Sequence, residues 1–331
     1  MDSDAITAAD EPHGQNQPVH DDKYFFDDGD CMFLADGVLF KLHKLFLCRD
    51  PESMFRGMFS MPQNQMMDLD LITLSGDTAE EFRELCWVVY ALPNEIYLQA
   101  TPDADIPKLL KVAKMSHKYS LPTFESWALD MILIQCKPLA GAPGHLSVCG
   151  EDILLDLMTL ALLSNHSQLL DLVEENWLSR LRTGNLPCKC ALIAGEKHGR
   201  TVFLAEVYYH LNKELGKTRL PTTSPFSHLN LTDTQLLRLL SGSTLLSNFW
   251  THLRRDPLPQ KSSQCYGQHH SCLQVWSGAP WAQDTFDPVA GLKAVQNYFT
   301  GGWKQRCPGL HIEQVITDFR VVDYFFGHQN S

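Results

Sequence analysis

The feature that most constrains this chain is a change of apolar period within its first sixty residues. Two short β-like runs, Cys31 to Leu34 and Val38 to Leu42, are separated by Ala35-Asp36-Gly37. Asp-Gly between apolar runs is the strongest short-range hairpin signal, because both residues tolerate the positive φ that a tight two-strand turn needs. After the hairpin the spacing turns helical. Leu45, Phe46 and Leu47 precede Arg49-Asp50-Pro51, and Pro51 is expected to open a second short helix with Met54, Phe55, Met58 and Phe59 on its apolar side. Strand and helix signals so close together predict a mixed α+β fold.

The remaining signals extend that pattern. Leu69 to Leu74 alternates like a strand packed on one face. Thr78 and Glu81 have the spacing of a capping box, and behind them Phe82, Leu85, Cys86, Val89 and Tyr90 form a buried helical stripe. Asp105 is expected to cap a helix bearing Ile106, Leu109, Leu110, Ala113 and His117 on one face. Pro122-Thr123 opens the next, carrying Phe124, Trp127, Met131, Ile132 and Ile134 up to Cys136. Residues 139–150, rich in Gly and Pro, mark a boundary. Beyond it the pattern predicts helices near 152–164, 167–182, 188–198, 201–215, 232–240 and 244–255, with Thr232 and Gln235 as another capping box. A loose repeat runs through this region: Ala113, Ala161 and Ala194 are each followed by a histidine (His117, His166, His198) and then an apolar residue (Leu121, Leu169, Val202). Stacked helical hairpins have this pattern. The last segment, 265–331, is rich in aromatic residues and glycine, and its end around Ile316 to Phe326 suits a strand or a helix.

Charge is unevenly placed. The net charge is −12, and residues 1–30 alone carry nine acids and one base. Residues 1–21 are therefore expected to be a flexible acidic leader of solvated charge. Such a balance disfavours direct nucleic-acid binding. The N-terminus has neither a basic n-region nor an apolar h-region, and the longest apolar run, Ile153 to Leu163, is broken by Asp156. It falls short of the ~18 residues of a spanning helix. The expectation is an intracellular protein of cytoplasm or nucleus, without membrane contact, whose ten cysteines are reduced.

Enzyme signatures are missing. Gly216-Lys217-Thr218 lacks the upstream glycine of a phosphate loop, since Leu211 stands there, and no nucleophile elbow, zincin helix or dinucleotide fingerprint occurs. The cofactor expectation is none, with one alternative. Cys265, His269, Cys272, Cys307 and His311 form two knuckle-like clusters that could hold a structural zinc in a loop-rich piece with little core. The competing reading makes them buried thiols and surface imidazoles. An enzyme built on Cys307, His311 and Asp318 is the alternative from another functional class. Cys188, Cys190 and His198 are expected to be core or capping residues, and His43 a structural hydrogen-bonder.

The order strand, turn, strand, His-Lys, two short helices, strand and three helices closely resembles the BTB/POZ domain over residues 22–137. Its most specific piece is Phe40-x-x-His43-Lys44-x-x-Leu47, followed by Met54-Phe55-x-x-Met58-Phe59. Leu109-Leu110-x-x-Ala113 and Tyr119-x-Leu121 are similar to the family's following helix pair. The step from Asp50 to Phe55 looks one residue longer than usual. As a whole the chain is similar to fungal proteins with one BTB domain and a helical extension, here 150–255. The resemblance implies a non-enzymatic interaction module, frequently a homodimer, whose interface would involve Leu45, Phe46, Met54 and Met58. Some relatives are adaptors between a cullin ubiquitin-ligase scaffold and a substrate, and Met66-Met67-Asp68 is compatible with the apolar-x-acid step they use, so Met66 and Asp68 are candidate contacts.

Overall fold

The computed structural model describes residues 17–61, 71–138, 144–217, 226, 229–255, 269–279, 281, 286–301 and 306–327. The chain forms two compact units. One comprises Met1–Cys149 and Leu160–Leu169, the other Gly150–Thr159 and Leu170–Ser331.

The first unit is α+β. Strands β1 (Val19–Phe25), β2 (Cys31–Ala35) and β3 (Val38–Leu42) precede the short helices α1 (Lys44–Leu47) and α2 (Met54–Ser60). Then come β4 (Leu71–Thr73), α3 (Ala79–Tyr90), α4 (Pro93–Leu98), α5 (Ile106–Lys118) and α6 (Pro122–Cys136). The sheet order is β1-β3-β2-β4. β2 and β3 are antiparallel, with Ala35 paired to Val38, while β1 runs parallel to β3 and β4 parallel to β2. The hairpin forms where the Asp-Gly signal places it: Asp36 has φ 48° and Gly37 φ 76°, both positive, as a two-residue primed turn requires. Phe33 and Phe40, fully buried, meet Phe82 at ring distances of 5.3 and 5.0 Å, and Phe55 joins Phe33 at 5.6 Å. These tilted and edge-on aromatic contacts hold α2 and α3 on the sheet.

Three details differ from the expectations. β1 begins at Val19, inside the expected leader. Asp21 is buried, pairs with Arg83 at 2.8 Å and accepts the Lys23 and Tyr24 N–H groups, so an acid counted as solvated charge is part of the fold. α2 starts at Met54, not Pro51, because the Ser53 Oγ accepts the Phe55 N–H and caps it. On α6 the buried residues are Ala128, Leu129, Ile132, Leu133 and Cys136, whereas Ile134 is exposed. That helix is apolar on most sides, and its packing, not its pattern, chooses the inner face.

The second unit is helical and contains most of α7 (Glu151–Leu163) and α8 (Ser167–Arg182), then α9 (Cys188–Lys197), α10 (Thr201–Lys217) and α11 (Asp233–Arg255). It closes with α12 (His269–Ser277), α13 (Pro288–Gly301), α14 (Arg306–Asp318) and α15 (Val321–Phe326). α11 is one helix where two were expected. Gly242, between the two expected ranges, is the point where the Phe325 ring lies against the α11 backbone, so that an added Cβ would collide with the ring. The described residues of the C-terminal segment are mostly helical and form a core with the end of α11: Trp250, Cys272, Trp276, Leu292, Val295, Phe299 and Ile312 pack together. The expected loop-rich piece with little core is corrected by that cluster. Among the described residues, no helix is long and apolar enough to cross a membrane.

The loose repeat is real as geometry but shifted in register. Loops 119–121, 164–166 and 198–200 join α5 to α6, α7 to α8 and α9 to α10. Each has a positive-φ residue, Ser120 (52°), Asn165 (50°) or Gly199 (62°). In each the next N–H bonds back to the carbonyl five residues earlier, those of Ser116, Ala161 and Gly195. This is the Schellman ending. The equivalent small residues are thus Ser116, Ala161 and Gly195, not the three alanines.

A candidate interaction surface

His43 precedes α1 and organises the surface around it. Its backbone N–H donates to Tyr90 Oη at 3.0 Å, its Nδ1 lies 3.0 Å from the same oxygen, and its Nε2 lies 3.3 Å from Asp28 Oδ1. Burial pushes the Tyr90 phenol up to about 12, partly offset by the His43 N–H, so the phenol keeps its proton at neutral pH. The arrangement that satisfies every group has Tyr90 donating to Nδ1 and Nε2–H donating to Asp28. The structural hydrogen-bonding role expected of His43 is thus filled by partners that its local sequence does not name. Tyr90, the polar end of an apolar stripe on α3, was the signal for one of them.

That anchor supports an aromatic surface. The Phe46 ring lies 5.0 Å from Tyr90 and 5.9 Å from His43, and Phe26 contacts both from the other side at 5.1 Å. Asp30 Oδ1 accepts the Lys44 N–H at 2.7 Å, and Lys44 Nζ sits 5.2 Å over the Phe59 ring. α1 is thereby fixed at its start and from behind. Its outward side chains remain in solvent: Leu45 is 78% exposed and Phe46 37%, and on α2 Met54 is 44% exposed while Met58 is half-buried. The four residues expected at an interface therefore lie on two packed helices, three of them open to solvent. Met66 and Asp68 lie outside the described residues.

No protein-family model, no curated protein and no solved structure matches this chain.

Thiol and metal chemistry finds little support in the described side chains. Burial pushes Cys31 and Cys136 up to about 12 and Cys188 up to about 11. It also raises Cys48, Cys86 and Cys190, the last with help from Glu151. Protonated thiols are poor nucleophiles. His198, which sequence placed near Cys188 and Cys190, turns its Nε2 to Thr159 Oγ1 at 3.1 Å. Of the zinc candidates, Cys272 is buried in the tryptophan-rich core and His311 packs its ring 5.4 Å from that of Trp276. His269 and Cys307 fall on α12 and α14 with side chains outside the description, as is Cys265 altogether. Asp318 is two turns and about 10 Å along α14 from His311. Both its carboxylate oxygens accept from Gln314 at 2.9 Å. Among the described residues, no group of three or more His, Cys, Asp or Glu side chains is placed to hold a metal ion.

Proposed function

We propose that this chain is a non-enzymatic interaction protein, in which residues 22–137 act as a BTB/POZ-type module that self-associates through α1 and α2. The observation that carries this reading is the exposure of Leu45, Phe46 and Met54 on two short helices, α1 anchored at its start by His43 and Tyr90 and α2 held by its Ser53 cap and by Phe55 on Phe33. Exposed apolar side chains are ordinary singly. Here three lie within ten residues, and the aromatic one is immobilised from behind, so association orders little that is not already ordered. The order of strands and helices, with two short helices between β3 and β4, supports the same reading. A second copy with the same patch gives an isologous interface whose centre is apolar.

The test is the mass of the full-length chain in solution. Light scattering at micromolar concentration is expected to give a dimer, and Leu45→Asp combined with Met54→Asp a monomer with unchanged circular dichroism. A wild-type monomer at that concentration, or a double variant that remains dimeric, would overturn the proposal.

A further inference from the structure

A cavity of about 450 Å³ opens in the second unit among α10, α13, α14 and the start of α15. That volume falls within the ~300–1,000 Å³ of small-molecule sites. Its walls follow from helical spacing. α10 presents Val202, Ala205 and Glu206, and α13 presents Val289, Leu292 and Lys293, in each case two apolar residues ending in a charge. Ile316, Phe319 and Leu292 join the lining to the tryptophan-rich core.

The walls are held in place without any ligand. The Tyr209 hydroxyl binds the Asp287 carboxylate and accepts the Val289 N–H at 3.2 Å, Asp287 caps α13 through the Ala290 N–H, and Asn212 Nδ2 donates to the Phe286 carbonyl at 2.7 Å. These bonds clamp the start of α13 to α10. α15 is fixed to α10 by the Tyr208 and Phe325 rings, stacked at 5.7 Å.

The charges around the cavity are unbalanced. Glu206 is neutralised by Arg182 at 3.1 Å. Lys293 and Arg320 are exposed, and neither makes an ion pair or side-chain hydrogen bond with a described residue. A preformed apolar cavity with two exposed cations at its edge that no described carboxylate pairs suits a ligand with an apolar body and one anionic end. We propose that this cavity binds a small amphipathic carboxylate, its chain against Leu292, Ile316 and Phe319 and its carboxylate against Lys293 and Arg320. The site lies wholly within the second unit and does not depend on self-association.

Calorimetric titration of the full-length protein with octanoate tests this, with 1-octanol as the neutral counterpart. Octanoate is expected to bind saturably at one site, with octanol roughly tenfold weaker for want of the charge-assisted contacts. Lys293→Gln and Arg320→Gln, both at exposed positions, are each expected to weaken octanoate by about tenfold and leave octanol unchanged. Absence of saturable octanoate binding, equal affinity for octanol, or octanoate binding indifferent to both variants would overturn the proposal.

Discussion

Asp50 ties the turn after α1 to a helix 73 positions further along the chain. Its Oδ1 accepts the Glu52 N–H at 3.2 Å, and its Oδ2 accepts the Thr123 N–H at 3.1 Å. Thr123 lies in the first turn of α6, where backbone N–H groups have no acceptor within the helix. Burial alone would raise the Asp50 pKa. The hydrogen bonds from Thr123 and Glu52, with Arg56 nearby, outweigh it and hold the carboxyl below its ordinary value. Asp50→Ala leaves both N–H groups without that acceptor, and is expected to lower stability by about 1–3 kcal/mol in urea unfolding. Asp50→Asn keeps one acceptor oxygen and should lose less. An alanine variant as stable as the wild type would contradict the link. In the sequence Asp50 was readable only as the residue before a proline. The same is true of Asp21 with Arg83 and of His43 with Tyr90. Each side chain's role is set by a partner more than forty residues away, and nothing local announces the pair.

Elements were legible where a neighbouring residue decides them. Asp36-Gly37, Thr78 with Glu81, Asp105, and Thr232 with Gln235 all act within three or four residues, and the hairpin and the three caps form as expected. They misled where packing decides. α11 runs unbroken through Gly242, where the Phe325 ring packs on its backbone, and α6 buries the face its neighbours accept. The repeated hairpin lies between these cases: its existence was legible, but its register was not, since the equivalence rests on backbone φ. Gly199 gives a clean test of that turn. An added Cβ there meets nothing within 4 Å, so only the left-handed backbone, φ 62°, opposes a side chain. Gly199→Ala is expected to cost about 1 kcal/mol in chemical denaturation with an unchanged slope. Ser120→Gly, at the equivalent exposed position with φ 52°, should gain about 0.4–1 kcal/mol. A neutral result at both sites would mean that the loops relax out of this geometry.

At the scale of the whole molecule, the net charge is −12, and nine of the acids lie in residues 1–30, most of them expected to be solvated charge of a leader. Part of that acidity is structural, since Asp21, Asp28 and Asp30 bind Arg83, His43 and the Lys44 N–H. The pH response should therefore follow the half-buried histidines more than net charge. Burial lowers the pKa of His145, His198, His210 and His311 from the ordinary 6.5, with Lys197 adding to the effect at His198. As pH falls through 6.5 the unfolded chain takes up protons at these sites before the folded chain does. Stability then falls with pH until the lowered folded values are passed. Protonation also relieves the negative charge, which by itself would favour the folded state, so a loss in this range isolates the histidines. A second loss belongs to Asp50, whose depressed value gives stability that is complete above about pH 4 and disappears as pH falls through the folded value. The urea midpoint is expected to be level between about pH 7.5 and 8.5, to fall as pH drops from about 6.5 to 5.5, and to fall again below about pH 4. A midpoint that holds or rises between about pH 7 and 5.5 would show that relief of repulsion outweighs the half-buried imidazoles.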